Sequence, residues 1–316
     1  MSNGIRIAII GGGNLGLYLA GHLSLAGNEV FITQRTRSTG SETDIIFAEG
    51  DEHWHASQVR FTVQEELQGP FNQVIVAVKS HDLQAVLPRL AELGDADTCY
   101  VFLQNGIPWW WTYRDGDIAG APKLANTVAV VVQHAVERLG PKRIKVHSNG
   151  RNRYICAQAD NENSARLQAL ITRWRQADIP AESSNDIRSE VWTKLMANAT
   201  LNPLSAITGA TLAELAGTPQ TRTVLSAGMN EIARLAELEG SRVRMPPQAW
   251  LRFAEEIGTA RTSMLQDRLA GRTLETEALL AAPIALAERY GEPVPILKTL
   301  LGCLSIPRTD LFRSAR

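Results

Sequence analysis

Cysteine is scarce in this chain of 316 residues: Cys99, Cys156 and Cys303 lie far apart in sequence and form no metal-ligand spacing. That excludes a small disulfide-stapled scaffold and fits a reducing compartment. Long apolar runs are missing as well. None approaches the length that crosses a bilayer, so no membrane partner is expected. The Met1-Ser2-Asn3-Gly4 start runs into a strand-like segment without the layout of a signal peptide, and the expected location is cytoplasmic. Neither sign of charge is in excess. Lys+Arg 32 against Asp+Glu 33 leaves a formal charge of -1, which gives no general pull toward nucleic acid. Hydrophobic residues at 44% and charged residues at 21% exclude a disordered or collagen-like chain. The length is enough for two domains, each with its own core.

The first half alternates strand and helix patterns. Ile5 to Ile10 is a short apolar run ending in glycines, as expected of a strand buried on both faces. Asn14 to Ala26 reads as a helix closed by Gly27, and Glu29 to Thr33 as the next strand. Gln73 to Lys79 and Cys99 to Leu103 repeat the buried-strand pattern around a helix-like Leu83 to Leu93, and Val128 to Val132 adds another strand. Strands separated by helices of this length predict a parallel sheet with helices on both faces. Ile144 to His147 and Arg153 to Cys156 flank Ser148-Asn149-Gly150-Arg151, which predicts an antiparallel hairpin.

After about residue 180 the strand signal disappears. Helices are expected over Asp186 to Asn202, Pro219 to Glu239, Gln248 to Leu269, Leu274 to Tyr290 and Val294 to Leu304. Thr218 before Pro219 reads as a capping hydroxyl followed by a proline whose missing N–H costs nothing. Gly240 and Gly291 read as helix ends. The expected join is Ile179 to Ser184. The fold class is therefore α/β, a doubly wound N-terminal sheet over 1–181 followed by a smaller all-helical C-terminal domain over 182–316.

Gly11, Gly13 and Gly16 form G-x-G-x-x-G between the first strand and the first helix. The three glycines serve a tight turn, close backbone approach to a pyrophosphate, and packing of helix on strand. The N–H groups at the helix start then face the phosphates. The alternative is a plain glycine-rich turn, but here strand, motif, helix and second strand all follow in order. The second strand ends in Thr33-Gln34-Arg35-Thr36-Arg37, without the acid that binds a ribose 2′-hydroxyl in NAD sites. Arg35 suits a 2′-phosphate, so the expected cofactor is NADP(H).

In the helical half, Lys194, Asn198 and Asn202 are spaced i, i+4, i+8, and Pro203 follows. One helix would align all three on a stripe, with Pro203 bending or ending it. Spacing alone also permits an exposed lysine beside two polar neighbours. A lysine taken partly out of water has a lowered pKa and can deliver a proton near neutral pH.

With these blocks the chain resembles the ketopantoate reductases (2-dehydropantoate 2-reductases) over nearly its whole length. The resemblance is carried by the glycine turn, Val78-Lys79, Gln104-Asn105-Gly106, Lys194 to Pro203, and Ser263-Met264-Leu265-Gln266-Asp267 with Glu275 following. It implies a Rossmann-like domain and a helical domain with the active site between them. It further implies NADPH-dependent reduction of a 2-keto acid to a 2-hydroxy acid, here 2-dehydropantoate to pantoate on the route to pantothenate and coenzyme A. On this resemblance Lys194 is the general acid, Asn198 and Asn202 hydrogen-bond the substrate, and Ser263 holds its carboxylate. Glu275 is a catalytic residue near both the nicotinamide end and the substrate hydroxyl, and Asn105 positions cofactor and substrate together. Gly11, Gly12, Gly13, Asn14, Leu15, Gly16, Arg35 and Lys79 contact the cofactor, and Val136 aligns with a backbone contact to it.

The chain departs from the family at the substrate pocket. Ala260 stands where well-studied members offer an asparagine, Leu212 replaces a polar contact, and no Asn-Gly follows Glu275. Missing hydrogen bonds of this kind change discrimination between substrates by orders of magnitude. The expected partner is a small 2-keto acid, and a second copy of the chain is a further candidate partner. Two other functions stay open: reduction of another 2-keto acid or opine-type chemistry, and a non-enzymatic NADP(H) sensor.

Trp109-Trp110-Trp111 reads either as an aromatic wall over the site or as packing against the helical domain or a second subunit, with packing preferred. His53-Trp54-His55 reads as a polar loop rather than a metal pair, and His81 and His134 as structural histidines near strand ends. Arg138, Lys142, Arg143 and Lys145 read as a solvated basic edge.

Overall fold

A computed structural model of the chain describes residues 4–35, 44–49, 52–147 and 152–306. Arg37 and the Ser148 to Arg151 turn lie outside the described residues. The chain splits into two compact units. One contains the chain up to Gln104 together with Trp109–Ile187, the other Asn105–Pro108 and the chain from Arg188 onward.

The first unit runs β1 (Arg6–Ile10), α1 (Asn14–Leu25), β2 (Glu29–Thr33), β3 (Ile45–Glu49), β4 (Glu52–Ala56), β5 (Arg60–Thr62), β6 (Gln73–Val76), α2 (Leu83–Val86), β7 (Cys99–Phe102), β8 (Thr127–Gln133), β9 (Ala135–Gly140), β10 (Arg143–His147), β11 (Arg153–Gln158), α3 (Ala165–Gln176) and β12 (Ala181–Ser183). Among the described residues eight strands form one sheet in the order β12-β11-β8-β7-β6-β1-β2-β5, with the β8–β11 pairing antiparallel and the others parallel. Strand alternation explains why its central strands are apolar between their ends. Ile7 and Ile9 join the cluster containing Leu17, Val101 and Trp174, while Ala8 and Ile10 join the one containing Val74, Leu87 and Phe102. The chain moves from β1 to β2 on one side and later to β6 on the other, so β1 and β6 flank a topological switch point.

Three local expectations are corrected here. The Ile144/Arg153 hairpin does not form. β10 instead pairs antiparallel with β9 and parallel with β3 in a second sheet, order β4-β3-β10-β9, whereas β11 lies beside β8. Burial explains the separation: β10 alternates exposed and buried residues, but Tyr154 to Gln158 are buried on both faces and belong in a covered central sheet. The Leu83 to Leu93 helix shortens to one turn of α-helix and then winds as a 3₁₀ segment, Leu87–Leu93, since Pro88 brings no N–H and crowds the preceding turn. The segment read as a join contains a strand, β12, pairing Ala181 to Ser183 with Tyr154 to Cys156. All three cysteines are free thiols, Cys99 and Cys156 buried.

The second unit is helical: α4 (Ile187–Asn198), α5 (Leu201–Thr208), α6 (Leu212–Gly217), α7 (Pro219–Leu238), α8 (Pro247–Ile257), α9 (Ser263–Leu269), a π-helical segment over Glu277–Ala281, α10 (Ala282–Tyr290) and α11 (Pro295–Leu304). Gly240 and Gly291 follow α7 and α10 with positive φ, as expected. Thr218 does precede α7, but its hydroxyl donates back to the Glu214 carbonyl at 2.8 Å rather than capping the new helix. Two expected helices are each broken in two. Asp186 to Asn202 breaks after Asn198, because Pro203 cannot donate to the Ala199 carbonyl. The Thr200 hydroxyl takes the Met196 carbonyl at 2.8 Å, and Pro203 falls in the first turn of α5, where no donor is needed. Gln248 to Leu269 breaks at Gly258, whose φ of 73 is left-handed, and restarts with the Thr262 hydroxyl accepting from Leu265 N at 3.2 Å.

Val294 supplies no side-chain cap to α11. Glu231 of α7 does so from a distance, its carboxylate accepting from Ile296 N at 2.8 Å and Leu297 N at 3.0 Å. Glu231→Ala is expected to lower thermal stability by about 1–2 kcal/mol, the value of a helix cap, with dinucleotide affinity unchanged. A melting temperature equal to that of the wild type would refute this capping role.

Candidate active site

In the first unit the glycine turn joins β1 to α1, and each glycine has a different reason to lack a side chain. Gly11 has φ 113, and a Cβ there would lie 2.9 Å from Ala77 C and Val78 N. A Cβ on Gly16 would collide with the Gly11 carbonyl oxygen, so this glycine brings α1 down on the turn. A Cβ on Gly13 would meet nothing nearer than Ala77 O at 3.9 Å, so its backbone is open to an approaching group. That division of tasks fits a dinucleotide pyrophosphate. The first turn of α1 carries no acid, and its N-cap is Gly13, which has no side chain to satisfy the helix-start N–H donors.

The strand ends around this turn carry the other expected cofactor contacts. Gly11 N donates to Thr33 Oγ1 at 3.0 Å, which ties the turn to the end of β2 just before Arg35. The Arg35 side chain is 86% exposed and pairs with Asp82 at 3.0 Å. Lys79 is half-buried and follows the Ala77-Val78 segment that touches Gly11. Gln104 holds that segment by donating to Val76 O at 2.9 Å and Val78 O at 3.1 Å. Asn14 and Val136 meet directly: the Asn14 amide donates to the Val136 carbonyl at 2.8 Å. Leu15 is half-buried on the first turn of α1 and packs against the large core cluster. The structure thus gathers the glycine turn, Arg35 and Lys79 just past the carboxyl ends of β1, β2 and β6, with Val136 near the start of β9 bonded to the first residue of α1.

Sequence reasoning missed Arg138. It is not a solvated edge residue, because its guanidinium donates to the carbonyls of Gly12 and Pro141. The one available signal was its position two residues beyond Val136 on an alternating strand. Lys142 is likewise buried, its ammonium 4.0 Å from the centre of the Phe61 ring.

In the second unit α4 is buried nearly all round, so its polar side chains need partners. Ser189 and Thr193 hydroxyls accept from Arg242 N and Arg244 N at 3.1 and 2.8 Å. Glu190 pairs with Arg244 at 3.2 Å. Lys194 sits half-buried on this helix, and desolvation lowers its pKa to about 8. One turn further on, the Asn198 amide donates to Asn105 Oδ1 at 3.2 Å. Asn105 is carried on a short excursion of the chain that belongs to this unit. Gly106, with φ 89, packs so closely on Ala278 that a Cβ would lie 2.7 Å from the Ala278 carbonyl carbon, and Ile107 N donates to Ala278 O at 3.2 Å. The excursion is therefore seated on the π-helical segment that begins just after Glu275, itself buried. Segments of π-helix occur often at functional sites.

The expected stripe is corrected in one respect. Asn202 is on α5, not on the helix of Lys194 and Asn198, for the Pro203 reason given above. Ser263 is exposed at the first position of α9, which packs on α5. Asp267 and Arg272 clip the turn after α9, Nε to Oδ1 at 2.7 Å, and so fix the path from Ser263 to Glu275. The two departures from the family pattern meet: Leu212 N donates to Ala260 O at 3.2 Å.

The remaining aromatic and histidine motifs are structural. Trp110 and Trp111 are buried, and Trp109 packs on Phe102 and Tyr113 inside the first unit, ring centres 5.2 and 4.7 Å apart. His53-Trp54-His55 is strand β4 rather than a loop, with Trp54 stacked on Phe47. His134 bonds Tyr154 OH at 2.8 Å, and burial pushes its pKa down to about 4, leaving it neutral at physiological pH. Among the described residues no group of three or more His, Cys, Asp or Glu is placed to hold a metal ion, and no helix is long and apolar enough to cross a membrane.

Residues 7–158 match the family described as ketopantoate reductase PanE/ApbA, and residues 186–307 match its C-terminal counterpart. A 2-dehydropantoate 2-reductase of Mesorhizobium japonicum is 31% identical over 318 residues, spanning 94% of this chain and 96% of that protein. The crystal structure of 2-dehydropantoate 2-reductase from Geobacter metallireducens superposes with TM-score 0.86 at 23% identity, covering 95% of this chain and 99% of that one. A ternary structure of D-mandelate dehydrogenase with NADH and anilino(oxo)acetate shares the fold at TM-score 0.82 and 20% identity, covering 95% and 97%. A strand-to-helix glycine turn with an open Gly13 in one unit, a lysine of lowered pKa in the other, and these matches along nearly the whole length lead to one assignment: the chain belongs to the ketopantoate reductase family of oxidoreductases.

Proposed function

We propose that the chain reduces a 2-keto acid to the 2-hydroxy acid at the expense of NADPH, with 2-dehydropantoate as the substrate and Lys194 as the proton donor. The carrying observation is Lys194 itself, an amine of pKa about 8 on a buried helix one turn from the Asn198–Asn105 pair. NADPH, when bound, supplies the hydride that adds to C2 of the keto acid. Negative charge then develops on the former carbonyl oxygen, and the Lys194 ammonium gives that oxygen a proton. Asn105, Asn198 and Asn202 hold the substrate by hydrogen bonds, Ser263 its carboxylate, and Glu275 the hydroxyl as it forms. Arg35 and Lys79 bind cofactor phosphates, and Arg35 in place of an acid at the end of β2 favours the 2′-phosphate.

A second substrate reading rests on Leu212 and Ala260, whose backbones bond to one another where the family resemblance expects polar contacts. Apolar side chains at these two positions favour a keto acid without a side-chain hydroxyl. One panel separates the readings: initial rates with 2-dehydropantoate, 2-oxoisovalerate and phenylglyoxylate, each with NADPH and with NADH. The expected result is highest kcat/KM for 2-dehydropantoate with NADPH, at least about tenfold over NADH, one clear step in discrimination. Turnover of phenylglyoxylate or 2-oxoisovalerate at higher kcat/KM would replace the substrate, and absence of turnover with all three would remove the enzymatic reading.

A further inference from the structure

We propose that Arg138 is a positioning residue for the dinucleotide, and that strand β9 of the small sheet acts as a clamp on the glycine turn. The proposal rests on the dinucleotide reading of that turn given above. Two ties come from alternate residues of one strand. The Arg138 guanidinium donates to the Gly12 carbonyl, and the Val136 carbonyl accepts from the Asn14 amide at 2.8 Å. One tie leaves β9 through the Val136 backbone carbonyl and the other through the Arg138 side chain, so two alternate positions fix the strand to both ends of the Gly12–Asn14 stretch.

The Gly12 tie acts through peptide geometry. A trans peptide is planar, with its carbonyl and the following N–H pointing in opposite directions. Holding the Gly12 oxygen toward Arg138 therefore turns the Gly13 N–H away from it. Gly13 is the glycine whose surroundings are open. Without the tie, a glycine-glycine peptide is free to flip and present its carbonyl, which would repel a phosphate. The same guanidinium also donates to Pro141 O, in the turn that links β9 to β10, so its fork is braced at both ends. Its positive charge one peptide away adds a long-range attraction for the pyrophosphate, which lysine would retain and glutamine would not.

The test measures binding of NADPH, NADH, ADP-ribose and 2′-AMP to the wild type, Arg138→Gln, Arg138→Lys and Asn14→Ala, by titration calorimetry or ligand competition, with melting temperatures alongside. Arg138→Gln is expected to weaken NADPH, NADH and ADP-ribose alike by about 10- to 100-fold, the range of one charged hydrogen bond. It should leave 2′-AMP, which has no pyrophosphate, within about twofold. Arg138→Lys should recover part of the loss, since the charge remains while the fork is gone. Asn14→Ala, which keeps the charge, should weaken the three pyrophosphate ligands by a smaller factor and serves if Arg138→Gln does not fold. A purely structural role would lower the melting temperature and weaken all four probes together, which overturns the proposal. So does unchanged binding in Arg138→Gln and Asn14→Ala, or a loss confined to NADPH and 2′-AMP, which would make Arg138 a 2′-phosphate reader. A wild type that binds none of the dinucleotides would instead remove the reading on which the proposal stands.

Discussion

Lys194→Ala is expected to lower kcat for keto-acid reduction by about 10²- to 10⁴-fold, the usual contribution of a positioned general acid, with NADPH affinity unchanged. On the proposed mechanism the proton reaches the substrate oxygen as hydride arrives, and the ammonium form of Lys194 delivers it. Its pKa of about 8, against the ordinary 10.5, fixes the pH dependence. Reduction is expected to be level at neutral pH and to fall tenfold per unit as pH rises through about 8, while oxidation of the hydroxy acid rises over the same range. A wild-type reduction rate that stays flat to pH 10, or a Lys194→Ala rate within a few-fold of wild type, would sink the assignment.

The same shift has a consequence for stability, of opposite sign to its use in catalysis. A lysine whose folded pKa is depressed binds fewer protons in the folded chain than in the unfolded chain between about pH 8 and 10.5. Stability therefore rises with pH across that window, and at neutral pH the desolvated ammonium works against the fold. Lys194→Met is expected to stabilise the protein on the order of 1–3 kcal/mol at pH 7, discounted for the half-buried position, and the gain should vanish near pH 10.5. A more stable and inactive variant is the signature of a site selected for chemistry.

The two-part architecture was legible because it depends on signals that survive in one dimension. Buried strands such as β1 and β6 are short apolar runs, and G-x-G-x-x-G places itself between one of them and a helix. Helix breaks were less legible. Pro203 marked the α4–α5 region, but the break fell earlier, where Thr200 turns its amide to the Ala197 carbonyl and its hydroxyl to that of Met196. Gly258 reads as one glycine inside an amphipathic pattern until its left-handed φ is seen. The small sheet was missed except for β10: β3 pairs with β4 and β9 with β10 close in sequence, but the two pairs form a sheet only where β3 meets β10 in parallel, almost a hundred residues on. Register of that kind is set by tertiary contact, not by local pattern.

The same distinction runs through the site. Lys194 and Asn198 were grouped on one helix by spacing, which is local, and Asn105, which accepts from Asn198, came from a family motif. Arg138 had no local mark, because its bond to Gly12 exists only once β9 reaches a turn 126 residues earlier in sequence. Lys142 was misread for a similar reason: an aromatic ring from β5 covers a charge that the sequence shows only as basic. Charged residues on long side chains are where linear reading is weakest, since one pattern serves a solvated face and a buried partner equally well.

Gly13→Ala and Gly16→Ala are expected to part ways, and the difference tests the cofactor turn more sharply than either variant alone. A methyl on Gly13 meets no atom closer than 3.9 Å, so the fold should tolerate it with a melting temperature within about a degree of wild type, as for substitutions away from packed features. It stands, however, on the backbone that a pyrophosphate must approach, so NADPH affinity should fall by at least about tenfold, the equivalent of one lost hydrogen bond of 1.4 kcal/mol. A methyl on Gly16 collides with the Gly11 carbonyl and lies 3.5 Å from the Ile9 side chain, so α1 must lift from β1. That variant should lose about 1–3 kcal/mol of stability, the usual cost of overpacking, and affinity with it. Thermal melts and NADPH titrations on the two proteins decide the matter. A Gly13→Ala protein that binds NADPH as the wild type does would mean the turn is structural only, and the dinucleotide would have to be held elsewhere.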